Sequence, residues 1–248
     1  MLAAKHPIAE VSWESDATPV STRFRDPYFA REDGRGETQH VFLAANGLPH
    51  RWLDRSVFTI AELGFGTGLN FFETLATWQA NPTAHRILTF VSFELYPMAP
   101  DDMARALAPW PDFQPSLRAF LAQYPANLAP GKHTLTFAGA TLELHIGDAR
   151  DTVPSWEGRA DAWYLDGFSP AKNPELWTAD LMGAVYQHTS AAGGTFATYT
   201  AAGFVRRNLA AAGFKVQKIK GYGRKRESLS GQRGQHRAPH AAEQSDKQ

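Results

Sequence analysis

No cysteine occurs in the chain, which excludes disulfides, thiolate metal sites and a cysteine nucleophile. Net charge is missing as well: 25 Lys and Arg stand against 25 Asp and Glu, so composition alone points to neither a nucleic acid nor a membrane. No apolar run comes near the roughly 18 residues of a membrane span, and the opening MLAAKHPIAEVSWESD lacks the apolar stretch of a secretory leader. A soluble, cytoplasmic protein without a membrane partner is expected. Histidines are present, but His6, His40, His50, His85, His133, His145 and His188 form no i, i+4 pair, and His236 and His240 fall in a polar tail. No metal is therefore expected. The chain also lacks a Gly-x-Ser-x-Gly elbow, which removes support for hydrolase chemistry.

What is there suits one large α/β domain with a modest appendage, since 248 residues at 43% apolar content can bury a substantial core. Up to about Arg55 the chain is mixed and turn-rich, with Asp26-Pro27, Gly34, Gly36 and Asn46-Gly47. Regular alternation follows. Val57 to Gly64 reads as a buried strand, and LNFFETLATWQ puts Leu69, Phe72, Leu75 and Ala76 on one helical face. Ile87 to Leu95 is a second strand, followed by helices in MAPDDMARALAPW and LRAFLAQYP. HTLTFAGATLELHIGD reads as a hairpin around Ala138-Gly139, and Ala160 to Phe168 as a strand leading through SPAKNP into the helix ELWTADLMGAVYQHT. GGTFATYT, the helix AGFVRRNLAAAG and the strand FKVQKIKG complete a doubly wound, mostly parallel pattern without internal repeats. Trp156, Trp163 and Trp177 are expected in the core or as loop anchors.

In an open α/β sheet, ligands bind beyond the carboxyl ends of the strands, and Ala61 to Phe72, AELGFGTGLNFF, is such an end. Gly64, Gly66 and Gly68 permit positive φ and bare the backbone to a ligand. A phosphate loop is excluded because no Gly-Lys-Ser/Thr follows. The dinucleotide pattern Gly-x-Gly-x-x-Gly fails too, since its last position falls on Leu69 or Phe71. Three acids close later strands: Glu94 in VSFEL, Asp148 in HIGDAR and Asp166 in WYLDGF. Each also has a plain structural reading as a helix cap.

Glu62-x-Gly64-x-Gly66-x-Gly68 resembles the turn of class I, Rossmann-like methyltransferases that use S-adenosyl-L-methionine. That resemblance implies Glu94 at the ribose diol and Asp148 at the adenine amine, with Phe65, Thr67 and Asn70 of the same turn also at the cofactor. LDGFSPAKNPELW resembles the Asp-Pro-Pro-Tyr type of motif in enzymes that alkylate nitrogen. Methyl transfer to an amine is an in-line displacement, and a carboxylate that accepts the amine hydrogens fixes the lone pair along the required axis. Asp166 is the candidate for that role. Phe168 either stacks on an acceptor base or packs under the loop, Lys172 and Asn173 either touch substrate or make the turn, and Tyr28 stays open between packing and substrate contact.

With ELGFGTGLNF, LDGFSPAKNPELWT, AGFVRRNLAAAGF and KGYGRKRESLSG in one order, the chain is similar from about Val20 to Gly231 to the methyltransferase half of the bacterial MnmC-type bifunctional tRNA enzymes. The resemblance implies methylation of 5-aminomethyl-uridine at the wobble position of tRNA. It places Asp166 and Phe168 beside the amine and the base. It further implies residues 1–56 as a substrate-side extension and 57–231 as the methyltransferase domain; 232–248, with almost no apolar residues, is expected to be a disordered tail. Gly34-Arg35-Gly36-Glu37 departs from the family's Gly-Leu-x-Glu. Because no second glycine-rich turn follows Gly231, FAD and the oxidase activity are expected to be absent; the chain reads as a stand-alone methyltransferase or an excised half, with the amine supplied by a separate FAD-dependent oxidase or another enzyme.

Charge distribution adds the expected RNA path. From Met1 to Gly203 the chain holds 14 Lys and Arg against 22 Asp and Glu, whereas Phe204 to Arg237 holds ten against one. Arg206, Arg207, Arg224, Lys225 and Arg226 are the candidate contacts to tRNA phosphates; a solvated strand edge is the plain alternative. Two competing readings use the same sequence features: a small-molecule amine methyltransferase, and a non-catalytic RNA-binding subunit that kept the fold.

Overall fold

The computed structural model describes residues 7–15, 18–80, 86–125 and 128–234. The chain opens on a small antiparallel sheet of β1 (Val11–Trp13), β2 (Pro19–Ser21) and β3 (Asp26–Pro27). One irregular helical run follows: α1 (Gly34–Glu37), a π-helical stretch (Thr38–Leu43) and a 3-10 turn (Ala44–Asn46). Asp33 caps it, its carboxylate accepting from the Gly36 amide at 2.8 Å. The sequence reading left this segment as turns. It is helical because Val41, Phe42 and Leu43 find a core to enter, together with Leu48 and Trp52.

Then come β4 (Val57–Leu63), α2 (Leu69–Gln79), β5 (Ile87–Glu94), α3 (Pro100–Leu107), α4 (Gln114–Leu121), β6 (Gly131–Phe137) and β7 (Ala140–Ile146). The remainder is α5 (Ala149–Ser155), β8 (Ala162–Leu165), α6 (Ala179–Gln187), β9 (Thr195–Thr198), α7 (Gly203–Ala212), β10 (Phe214–Lys220) and β11 (Glu227–Arg233). The strands from β4 onward form one eight-stranded sheet in the order β10-β11-β9-β8-β4-β5-β7-β6. Its centre, β9-β8-β4-β5-β7, is parallel, and β6, β11 and β10 add antiparallel edges.

Both faces of that centre are buried, as a parallel sheet requires. Phe58, Ile60, Ala162 and Tyr164 enter one core with α2, α3, α4 and the segment from Val41 to Trp52. Leu63, Trp163 and Leu165 alternate to the other face and meet α5, α6 and α7. Each fully buried Leu or Phe contributes on the order of 2 kcal/mol, so the N-terminal segment, through Trp52 and its neighbours, is built into the same core as the sheet. Trp156, Trp163 and Trp177 are all buried.

Two boundaries differ from the sequence reading. The helix after SPAKNP starts at Ala179, because Thr178 accepts from the Leu181 amide and caps it. β11 was not anticipated as a strand, and it carries the chain to Arg233, past the boundary set at 231. Its only large apolar residue buried in the sheet is Leu229, flanked by Ser228 and Ser230, so pairing with β9 and β10 defines it rather than its own hydrophobicity. The rest of the expected tail, from residue 235, lies outside the described residues. Among the described residues no helix is long and apolar enough to cross a membrane.

Candidate active site

Strand register builds the site. β4 lies between β5 and β8, and Leu63 pairs with Phe93 on one side and Leu165 on the other. Glu94 in turn sits opposite Ile146. The residues that leave these four strand ends, Asp166, Gly64, Glu94 and Asp148, therefore line up across the point where the chain winds away in both directions. A cleft of about 1400 Å³ opens there, and all four line it.

One side of the cleft is backbone. At Gly66, φ is +53° and an added Cβ would lie 3.1 Å from Tyr28 Cδ1; at Gly64, φ is +83°. A side chain at Gly66 would thus strain the turn and fill the space Tyr28 leaves open. Gly68, at φ +80°, caps α2. Glu94 clamps the turn from below: one oxygen accepts from the Phe65 and Gly66 amides at 2.9 and 3.0 Å, the other from the Tyr96 amide at 2.6 Å. Asp148 lines the cleft and also caps α5, accepting from the Arg150 amide and pairing with its guanidinium at 2.6 Å. The Arg150 side chain holds the Asp148 carboxyl below its ordinary range.

The opposite side is side chain. Asp166 accepts from its neighbour's amide, Gly167 N, at 2.8 Å and from Asn70 Nδ2 at 2.8 Å. Burial pushes its carboxyl up to about 7, against the lowering effect of those two donors. Behind it the same Asn70 Nδ2 donates to Glu62 at 2.9 Å, and Ser92 Oγ donates to the other Glu62 oxygen at 2.8 Å. Glu62 is 1% exposed and burial holds its carboxyl well above the usual range. It is not among the residues that line the cleft, and reaches it through Asn70, which is one of them.

The turn after β8 is fixed from three directions. Tyr199 Oη donates to Gly167 O at 2.9 Å, Trp177 Nε1 to Phe168 O at 3.2 Å, and Ser169 N to Asp26 Oδ2 at 2.8 Å. Phe168 lines the cleft with one face stacked on Phe24, at 4.6 Å between centroids, and Tyr28 edge-on at 5.1 Å. Lys172 does not reach the cleft. Its ammonium is held by Asp26 Oδ1 at 2.7 Å and Arg25 O at 2.6 Å, which ties the small N-terminal sheet to the acceptor loop.

A collar closes the rim, formed by the turn between β10 and β11 and the start of α1. Tyr222 Oη donates to Asp33 at 2.6 Å, Lys225 pairs with Glu37 at 2.8 Å and covers the Tyr199 ring at 4.1 Å, and Arg224 reaches Glu32 at 3.3 Å. Arg224 and Lys225 line the cleft mouth; Arg226, Arg206 and Arg207 are exposed but outside that lining. Arg35, in the Gly34-Arg35-Gly36-Glu37 stretch, bridges Glu73 at 2.6 Å and Asp112 at 2.8 Å.

Phe24, Asp26, Thr38, Tyr199 and Tyr222 were not singled out by sequence. Tyr199 and Tyr222 carried a signal: one directly follows a strand, as Asp166 does, and the other sits in KGYGRKRE. Nine carboxylates and five cationic side chains line the cleft, a balance that favours positively charged ligands. Among the described residues no group of three or more His, Asp or Glu is placed to hold a metal ion.

A family model described as S-adenosyl-L-methionine-dependent methyltransferase matches residues 111–234. The tRNA 5-methylaminomethyl-2-thiouridine biosynthesis bifunctional protein MnmC of Azoarcus sp. (strain BH72) is 46% identical over 240 residues, which is 95% of this chain and 38% of that protein. Its namesake in Pseudomonas aeruginosa (strain PAO1) is 47% identical over 228 residues, 90% of this chain and 35% of the relative. The chain thus spans little more than a third of the length of these curated relatives. Among solved structures, MNMC2 from Aquifex aeolicus aligns with a TM-score of 0.70 at 26% identity, covering 92% of this chain and 71% of that one.

Proposed function

Because this chain belongs to the S-adenosyl-L-methionine-dependent methyltransferases, we propose that it methylates the aminomethyl nitrogen of 5-aminomethyl-(2-thio)uridine at the wobble position of tRNA. The observation that carries the reading is the Asp166 carboxylate, held by two donors at the cleft floor beside the glycine turn. The MnmC name of the relatives supports the tRNA substrate.

The residues present fit the donor. The bared backbone at Gly64 and Gly66 leaves room where a Cβ would intrude, Glu94 and Asp148 offer acceptors for hydroxyl and amino groups, and the excess of carboxylates suits a cation. Bound there, S-adenosyl-L-methionine supplies a methyl group on a positively charged sulfur. The protein's part is to present a neutral amine. An alkylamine arrives protonated at neutral pH, and Asp166, with its carboxyl near 7, is matched to take that proton and pass it to solvent. The same carboxylate accepts a remaining amine hydrogen and so aims the lone pair. Phe168, stacked on Phe24 and edged by Tyr28, forms an aromatic wall for the flat uridine ring. Arg224 and Lys225 at the mouth meet phosphates of the anticodon loop, and a separate FAD-dependent oxidase supplies the amine.

Incubation with undermodified tRNA and methyl-labelled donor, followed by nucleoside analysis, tests the proposal. The expected product is labelled 5-methylaminomethyl-(2-thio)uridine. Asp166→Ala is expected to lower turnover about 10²–10⁴-fold while donor affinity stays within about threefold. Label in free amines and none in tRNA would overturn the substrate assignment; a fully active Asp166→Ala protein would overturn the catalytic one.

A further inference from the structure

Two carboxyl groups approach each other under the acceptor side of the cleft, and a single amide stands between them. Asn70, 8% exposed in the first turn of α2, spends one Nδ2 hydrogen on Glu62 and the other on Asp166, at 2.9 and 2.8 Å. Its Oδ1 accepts from Thr38 Oγ1 at 2.7 Å, and Thr38 is 2% exposed. The reverse orientation of the amide would turn its carbonyl toward two acids, so the amide is fixed from both ends. With both hydrogens used, Asn70 has no donor left for a cofactor, which is the role its place in the glycine motif suggested.

We propose that Asn70 is a positioning residue for methyl transfer: anchored by Thr38 from the N-terminal segment, its amide aims the Asp166 carboxylate into the cleft and separates it from Glu62. The inference rests on the reading of Asp166 given above. The titratable groups facing Asp166 are Glu62 from β4, Glu37 from α1 and Lys225 from the β10–β11 turn, with the Tyr199 hydroxyl on the adjoining Gly167 carbonyl. Among the described residues, Asn70 is the only side chain that donates directly to Asp166. Removing it takes away a hydrogen bond to the charged form, which raises the pH at which Asp166 ionises.

The test is a ¹³C carboxyl titration of the full chain, with the Asp166 resonance assigned through Asp166→Asn. In Asn70→Ala the midpoint is expected to rise from about 7 by on the order of one pH unit. Thr38→Val, which keeps shape and loses the hydroxyl, is expected to move it the same way by less, and Thr38→Ser to restore it. Should Asn70→Ala not fold, Thr38→Val carries the test alone. Midpoints unchanged in these variants would overturn the proposal. In the methylation assay kcat is expected to fall with the KM for the donor unchanged; a higher donor KM at constant kcat would make Asn70 a cofactor ligand instead. If the wild-type protein methylates no tRNA, the proposed function fails, and the titration still decides this inference.

Discussion

The two walls of the cleft are made in different ways. The glycine-turn wall is backbone set by strand register, with Gly64 bonded to Phe93 O at 2.9 Å and Glu94 holding the next two amides. The acceptor wall is held by side chains far apart in sequence: Asn70 to Asp166, Asp26 to the Ser169 amide, Asp33 to Tyr222 and Glu37 to Lys225. A wall made of backbone changes little when surface residues change, whereas a wall made of side-chain pairs is free to fit a particular acceptor. On the proposed function, the first serves the donor and the second sets what is methylated.

The largest effect that separates them is expected from Gly66→Val. A branched side chain at φ +53°, 3.1 Å from Tyr28 at its Cβ alone, has no relaxed conformation there. Calorimetry with S-adenosyl-L-methionine is expected to show affinity lost about 100-fold or more, roughly the 2.7 kcal/mol of two steric and strain penalties. Circular dichroism is expected to show the fold intact. Undiminished donor binding would break the comparison, because the donor would then lie elsewhere.

A smaller effect is expected at the rim. Changing Arg224, Lys225 and Arg226 together to Glu removes three cations and sets carboxylates against Glu32 and Glu37, the partners of Arg224 and Lys225. Affinity for tRNA is expected to drop at least about tenfold at moderate salt, with a shallower salt dependence, while donor affinity barely moves. Unchanged tRNA binding at moderate salt would remove the basic turn from the RNA path.

The same contrast explains what the sequence could show. Gly64, Glu94, Asp148 and Asp166 were legible because each ends an apolar run, and parallel pairing then brings strand ends together. Lys172 was not: in sequence it is a lysine in a proline turn, and only the fold supplies Asp26 as its partner. The helical run from Gly34 to Asn46 contains two glycines in its first turn, a poor local signal, and forms because Val41 to Leu43 are buried. β11 was hidden for the same reason in reverse. Ser228 and Ser230 read as surface, yet both are buried, with Ser228 Oγ donating to Tyr199 O and Gln217 Nε2 donating to Ser230 Oγ. Local pattern predicts elements that carry their own hydrophobic face; it is silent on those whose stability comes from a partner.

Beneath both walls lies Glu62, and it gives the smallest effect and the sharpest test of how they are joined. Unfolded, its carboxyl ionises near its ordinary value; folded, burial and the nearby acids Asp166 and Glu94 keep the proton to a much higher pH, against the lowering effect of the donors Asn70 and Ser92. Between those two values the unfolded chain releases a proton that the folded chain keeps, so wild-type stability falls as pH rises through the window. Glu62→Gln keeps a carbonyl acceptor for Asn70 and has no ionisable proton, and the Ser92 hydroxyl, which donates to Glu62, turns to accept from the new amide. The variant is therefore expected to match the wild type near pH 4 and to exceed it in Tm at pH 8, by about 2–4 °C for each kcal/mol gained. A variant less stable than the wild type at pH 8 would mean that Glu62 is ionised in the fold, and Asp166 would then face a charge across Asn70 that the neutral pairing avoids.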